Sequence, residues 1–275
     1  GNGVPPGSSI APAPAATAAG VPATTAYTVT FDRQGRVEST LANIAHLLRT
    51  GQAGNIRYDA FTDQIIVAGE ALSDDLITRV RIAFEQQRVA PPSKETVRDA
   101  IERIARENTY DSAIDWVNSL AWDGVPRVET SMAAYFGTED TNYTRSISCY
   151  LWTALAARVL DPGCQADMVP VLVGPQGQRK SSAVAAIAPA PDYFTEVNLS
   201  DKSADMSRMM RGKVIGEIAD MQGLKTREIS SIRAFITTRY DKWVPKFKEF
   251  STIAARRLLF VGTGNERFLD DDTGE

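Results

Sequence analysis

Val171-Leu172-Val173-Gly174-Pro175-Gln176-Gly177-Gln178-Arg179-Lys180-Ser181-Ser182 is the stretch on which the fold turns. An apolar run of strand length passes through a glycine-bearing turn into Lys-Ser and an alanine-rich helix, the order that a phosphate-binding P-loop requires. Small residues let backbone N–H groups close around phosphate oxygens, and the amides that open the helix add partial positive charge. In this reading Gly174, Gln176, Gly177, Arg179, Lys180, Ser181 and Ser182 form a nucleotide cradle. Lys180 reaches the β and γ oxygens, and the Ser181 hydroxyl ligates Mg²⁺. One position departs from G-x-x-x-x-G-K-[ST], because Arg179 stands where the second glycine belongs. A side chain is tolerable there if the residue has right-handed helical φ/ψ. The bland alternative is a Gly-Pro turn followed by a helix with a solvated lysine.

A nucleotide-hydrolysing site also needs an acid at a neighbouring strand end, to hold the metal shell and orient the attacking water. The run Lys213-Val214-Ile215-Gly216-Glu217-Ile218-Ala219-Asp220 supplies two. Glu217 is the better candidate for water activation, and Asp220 for the Mg²⁺ side. A third strand, Leu258-Leu259-Phe260-Val261, ends in Gly262-Thr263-Gly264-Asn265. An amide both donates and accepts, so Asn265 suits a sensor between the γ-phosphate and the acids. Between the second and third strands, Arg239-Tyr240-Asp241-Lys242-Trp243-Val244-Pro245-Lys246-Phe247-Lys248 interleaves basic and aromatic residues. Lys242, Lys246 and Lys248 there can contact nucleic-acid phosphates while the rings stack on bases. The same segment also reads as a solvated hairpin with its aromatics tucked into the core.

Around these motifs the texture changes near residue 163. Residues 1–37 form an Ala/Pro/Gly-rich linker, too poor in large apolar side chains over its first 25 residues to offset the entropy of ordering. Residues 38–162 read as a mostly helical domain with helices over 41–49, 74–88, 93–107, 114–121, 128–136 and 141–159. One strand pair, 56–58 with 64–67, makes a winged-helix-like module an option. Ser93 opens the third of these helices, and Val97, Ile101, Ile104 and Ala105 give it one apolar face. From 163 to 275, strands at 169–173, 214–218 and 258–261 alternate with helices at 180–187, 200–210 and 225–238. That alternation predicts an α/β fold with a parallel, helix-flanked sheet. Trp122 and Trp152 fall to the core by size.

Composition narrows the function class. The 275 residues carry 30 Lys and Arg against 34 Asp and Glu, a net charge of −4, which taken whole is no nucleic-acid footprint. Residues 201–260 nevertheless hold 13 basic and 7 acidic side chains, a local balance of +6. Two cysteines and one histidine cannot build a tetrahedral zinc site and are too few for a disulfide scaffold, which favours a reducing, cytoplasmic compartment. No run of about 18 apolar residues suits a membrane span.

The four elements, in this order and spacing, resemble the virulence-associated protein E family of phage and mobile-element proteins, grouped with superfamily 3 helicases and their AAA+-type ATPase core. Leu120-x-Trp122-Asp123-Gly124-x-Pro126-Arg127, Tyr143-Thr144-Arg145, Pro162-Gly163-Cys164, Arg211-Gly212-Lys213, Phe268-Leu269 and Thr273-Gly274 extend the likeness over roughly residues 38–275. The resemblance implies an ATP- and Mg²⁺-dependent motor acting on single-stranded or forked DNA in replication, in the cytoplasm of a bacterial host. It also implies a homo-oligomeric ring, a hexamer by preference, often with primase-like sequence upstream. Lys180 and Ser181 take the nucleotide and metal roles, Glu217 and Asp220 the acidic roles, and Asn265 the sensor role. The family pattern continues beyond Glu275 with a basic-aromatic run, so the core reads as C-terminally truncated and the trans-acting arginine is not assignable. A second reading of the same residues is a nucleotide- or DNA-binding adaptor that does not hydrolyse, motivated by Arg179.

Overall fold

The computed structural model describes residues 27–52, 54–201, 203–221, 229–244 and 251–265. Most of the expected linker, together with Lys246, Lys248 and the 268–274 signposts, lies outside them. The chain divides into two compact units, residues up to 52 with 74–101, and residues 53–73 with 102–275.

The first unit is helical. α1 (Leu41–Leu47) starts at Thr40, whose side chain accepts the Asn43 N–H, and runs on into a π-helical turn that ends around Gly51 at φ 95°. α2 spans Asp74–Gln86, and α3, Lys94–Glu107, belongs to this unit as far as Ile101. Ser93 caps α3 by accepting the Thr96 N–H at 3.0 Å. Val97, Ala100 and Ile101 are buried, the face their spacing predicts. Asn43 is wholly buried, and burial is tolerable because its amide is satisfied: it accepts from the Tyr27 hydroxyl and donates to the Thr30 and Glu38 carbonyls.

The second unit holds two four-stranded sheets. β1 (Ile56–Asp59) and β2 (Gln64–Val67) form the expected strand pair, antiparallel, and β3 (Glu70–Ala71) and β4 (Thr109–Tyr110) complete the order β3-β2-β1-β4. The expected wing therefore belongs to this unit. Helices α4 (Ser112–Ser119), α5 (Ser131–Phe136) and α6 (Asn142–Leu160) follow. Thr141 and Thr144 form a reciprocal capping box at the start of α6.

The second sheet comprises β5 (Val171–Val173), β6 (Phe194–Glu196), β7 (Ile215–Ile218) and β10 (Leu259–Gly264) in the order β5-β10-β7-β6, with every pairing parallel. Between these strands lie α7 (Lys180–Ala185), α8 (Ser203–Met209), α9 (Ile229–Thr237) and an antiparallel hairpin of β8 (Tyr240–Trp243) with β9 (Thr252–Ala255). Leu151, Ala154 and Val159 of α6 and Val184 of α7 pack with Ile215, Leu259 and Val261 on one sheet face. Met206, Ile232 and Phe235 pack with Ile218, Leu258 and Phe260 on the other. Coverage on both faces explains why the strands read as continuous apolar runs.

Two expectations change. A domain boundary at 163 fails physically, because α6 shares one hydrophobic cluster with the sheet that follows it. Trp122 is 78% exposed, since Gly124 at φ 83° and the Arg127–Asp123 ion pair shape a surface loop there, while Trp152 is half-buried with its indole N–H on Ser131.

Candidate functional site

The parallel order decides where the motifs meet. β10 is last in sequence but lies between β5 and β7, so the loops leaving the carboxyl ends of these three strands are neighbours. A crevice at carboxyl strand ends is where open α/β sheets take ligands. The loop after β5 is tied to β10 at once, as Gly174 N–H donates to the Gly264 carbonyl at 3.2 Å. Gly177 then turns the chain at φ 86°, a value that favours glycine.

Arg179, the residue before α7, adopts φ 58° and ψ 31°. The sequence admitted it on condition of a right-handed helical backbone, and the structure instead gives it the left-handed conformation that the missing glycine would take freely. Asp220, just after β7, is also left-handed at φ 44°. Non-glycine residues held there cost on the order of 1–3 kcal/mol, and such strain concentrates at functional sites.

Lys180 turns back over the loop. Its Nζ donates to the Gly174 carbonyl at 2.7 Å, the Pro175 carbonyl at 3.0 Å and Asn265 Oδ1 at 3.0 Å. The Asn265 amide faces Asp220 with its nitrogen, 3.5 Å from Oδ1. Residues 85 and 45 positions apart are thus gathered into one chain, Lys180–Asn265–Asp220, at the surface. Gln176, Gly177, Ser181 and Ser182 are exposed beside it, and the two serine hydroxyls make no hydrogen bond among the described residues.

Glu217 is different. It is fully buried within β7. Its Oε1 accepts the Thr263 hydroxyl at 2.7 Å, from strand to strand, and its Oε2 has no partner, the one buried carboxylate oxygen so placed among the described residues. Glu217 is paired in register with Val261, which packs with Val184 of α7, so both side chains of this bond lie on the sheet face that α7 covers. Glu217 is fully buried, whereas Asp220 is exposed. Thr263 was not singled out by the sequence; its only signal is its place at the end of the third apolar run, two residues before Asn265.

For a hard cation such as Mg²⁺ the oxygen donors are suitable: the orphaned Glu217 Oε2, the Asp220 carboxylate and the free Ser181 hydroxyl. Lys242 is exposed on β8 and bonds to none of these groups.

Residues 117–275 match the virulence-associated protein E-like domain. The chain belongs to that family. Among solved structures, it is similar to the apo A form of the NrS-1 C-terminal region, at 12% identity and a TM-score of 0.48, with 86% of this chain and 59% of that chain covered. A further apo structure of the same region gives 11% identity and a TM-score of 0.46, over 83% of this chain and 59% of that one. The chain thus spans 59% of the length of these structures. No curated protein sequence matches it. Among the described residues of this family member, no helix is long and apolar enough to cross a membrane.

Proposed function

We propose that the α/β unit binds ATP with Mg²⁺ in the Gly174–Ser182 loop and hydrolyses it as a DNA-acting motor of a replication module, working in a homo-oligomeric ring. The observation that carries this reading is the convergence of Lys180, Asn265 and Asp220 from three different strand ends. Lys180 is held by carbonyl and amide oxygens alone, weak partners that phosphate oxygens outcompete through charge-assisted bonds. When it moves to phosphate, Asn265 Oδ1 is released and its amide becomes free to face the terminal phosphate. Asp220, exposed and bonded to that amide, is the acid able to orient an attacking water. Glu217 serves from behind as the buried acid on the metal side, which exchanges the two roles favoured by sequence. Bound Mg²⁺ would supply charge neutralisation of the phosphate oxygens.

The test is equilibrium binding of a fluorescent ATP analogue, followed by steady-state turnover with and without single-stranded DNA. Lys180→Ala is expected to weaken binding roughly 10- to 100-fold, the worth of a charge-assisted bond. Equal binding by wild type and variant would remove the reading. Binding without turnover would select the adaptor function instead.

A further inference from the structure

A carboxylate taken wholly out of water is costly unless its oxygens are bonded, and an orphaned buried polar atom calls for an explanation. Glu217 carries this cost within a wholly buried strand pair: all four residues of β7 and all six of β10 are buried. No cation balances it among the described residues, and the one group bonded to it there is a neutral hydroxyl. An apolar residue of similar size would pack there without penalty, as Ile215, Leu259 and Val261 do around it. The arrangement therefore stabilises something other than the free fold.

Thr263 determines how the carboxylate is presented. Its β-branched side chain has few χ1 choices on a strand, so the hydroxyl is a stiff donor. By engaging Oε1 it fixes the plane of the carboxylate and leaves Oε2 as the sole oxygen able to accept from an incoming group. Just past the end of β10, two residues beyond Thr263, Asn265 holds Lys180. The lone oxygen is thus fixed from the strand that leads into the site's amide, on the sheet face covered by the helix that carries Lys180 and Ser181.

We infer that Thr263 is a positioning residue, which acts through Glu217 to orient an acceptor for the water shell of a nucleotide-bound divalent cation. This rests on the nucleotide reading above and adds to it a cation-specific role for a threonine. Partners of this kind, one step behind the metal, change metal affinity or activity by about 10- to 100-fold when removed.

The experiment measures nucleotide-analogue affinity of the full chain across a Mg²⁺ titration, with EDTA as the zero point and Mn²⁺ occupancy read by electron paramagnetic resonance. Thr263→Val is expected to raise the Mg²⁺ concentration for half-maximal tightening by about 10-fold while leaving affinity in EDTA unchanged. Thr263→Ser, which keeps the hydroxyl, should restore the wild-type titration to within about twofold. Glu217→Gln should shift it likewise, and the double variant should add nothing further, since both changes remove one coupled unit. A Thr263→Val defect of equal size with and without Mg²⁺, or no rescue by serine, would assign Thr263 a packing role and overturn the inference. If Thr263→Val does not fold, the serine and Glu217→Gln titrations decide by themselves: an unshifted Glu217→Gln titration overturns it. Lys180→Ala in the same assay separates the two levels, because full binding by that variant defeats the nucleotide reading itself.

Discussion

Arg179 is one of five non-glycine residues with positive φ among the described residues. Its backbone sits at φ 58°, where a Cβ crowds the following carbonyl, yet its guanidinium is exposed and takes no part in the Lys180 contacts. Glycine would remove a strain of about 1–2 kcal/mol and return about half of it through a more flexible unfolded chain. Arg179→Gly is therefore expected to stabilise the protein by about 0.5–1 kcal/mol, seen as a higher midpoint in urea with an unchanged slope. The exposure of Trp122 shows the reverse failing of residue-level reading: size predicts burial, but its indole N–H needs only the Val125 carbonyl and its loop is held by surface bonds. Neither outcome is visible in residue type alone.

Among the elements, the turn between β1 and β2 is held to the start of α4 by one carboxylate. Asp59 is buried and accepts from the Phe61 and Ser112 N–H groups and from the Thr62 and Ser112 hydroxyls. Burial, the largest single influence, pushes its pKa up, but these four bonds outweigh it and leave the carboxyl below the usual value. With the folded pKa depressed, the stabilisation is complete above the unfolded value of about 3.9 and fades as pH falls through the folded one. Asp59→Asn should cost about 2–3 kcal/mol at neutral pH, because it strands buried donors. In acid the gap between the variant and the wild type should narrow below about pH 4, measured by denaturant titration at stepped pH. Nearby, Asp111 caps α4 at the Ile114 N–H and also pairs with the buried Arg257 at the entry to β10. Helix start and strand start are thus fixed by the same acid.

Over the whole molecule, the structure redistributes the charge that made residues 201–260 look basic. Arg256 is buried in a bidentate pair with Asp241, Arg257 is buried against Asp111, and Arg239 and Arg211 donate to the Gly163 and Ala60 carbonyls. Several of the cations counted in that segment therefore hold the hairpin and β10 in place and are not offered to a ligand. Lys242 remains exposed on β8, on the opposite face of the strand from the buried Asp241 and Trp243 that anchor it. If single-stranded DNA follows this hairpin, Lys242→Ala should weaken binding uniformly across sequences. The slope of log affinity against log salt should fall by about 0.7, as for one lost phosphate contact, in a fluorescence anisotropy titration.

The sequence alone determined the local elements: a loop of glycines before Lys180 can close only as a tight turn, Ser93 and Thr141 start helices, and apolar runs of strand length demand cover on both faces. Those are properties of neighbouring residues and of periodicity, so they are written in order along the chain. Tertiary structure alone decided that β10 slips between β5 and β7, that α6 joins the sheet's core, that Glu217 is sealed while Asp220 is open, and that Thr263 holds one of them. Each depends on groups far apart in sequence, such as Val171 and Gly262, meeting in or against a parallel sheet, and strand order in such a sheet is set by packing and crossover, which no window of sequence contains.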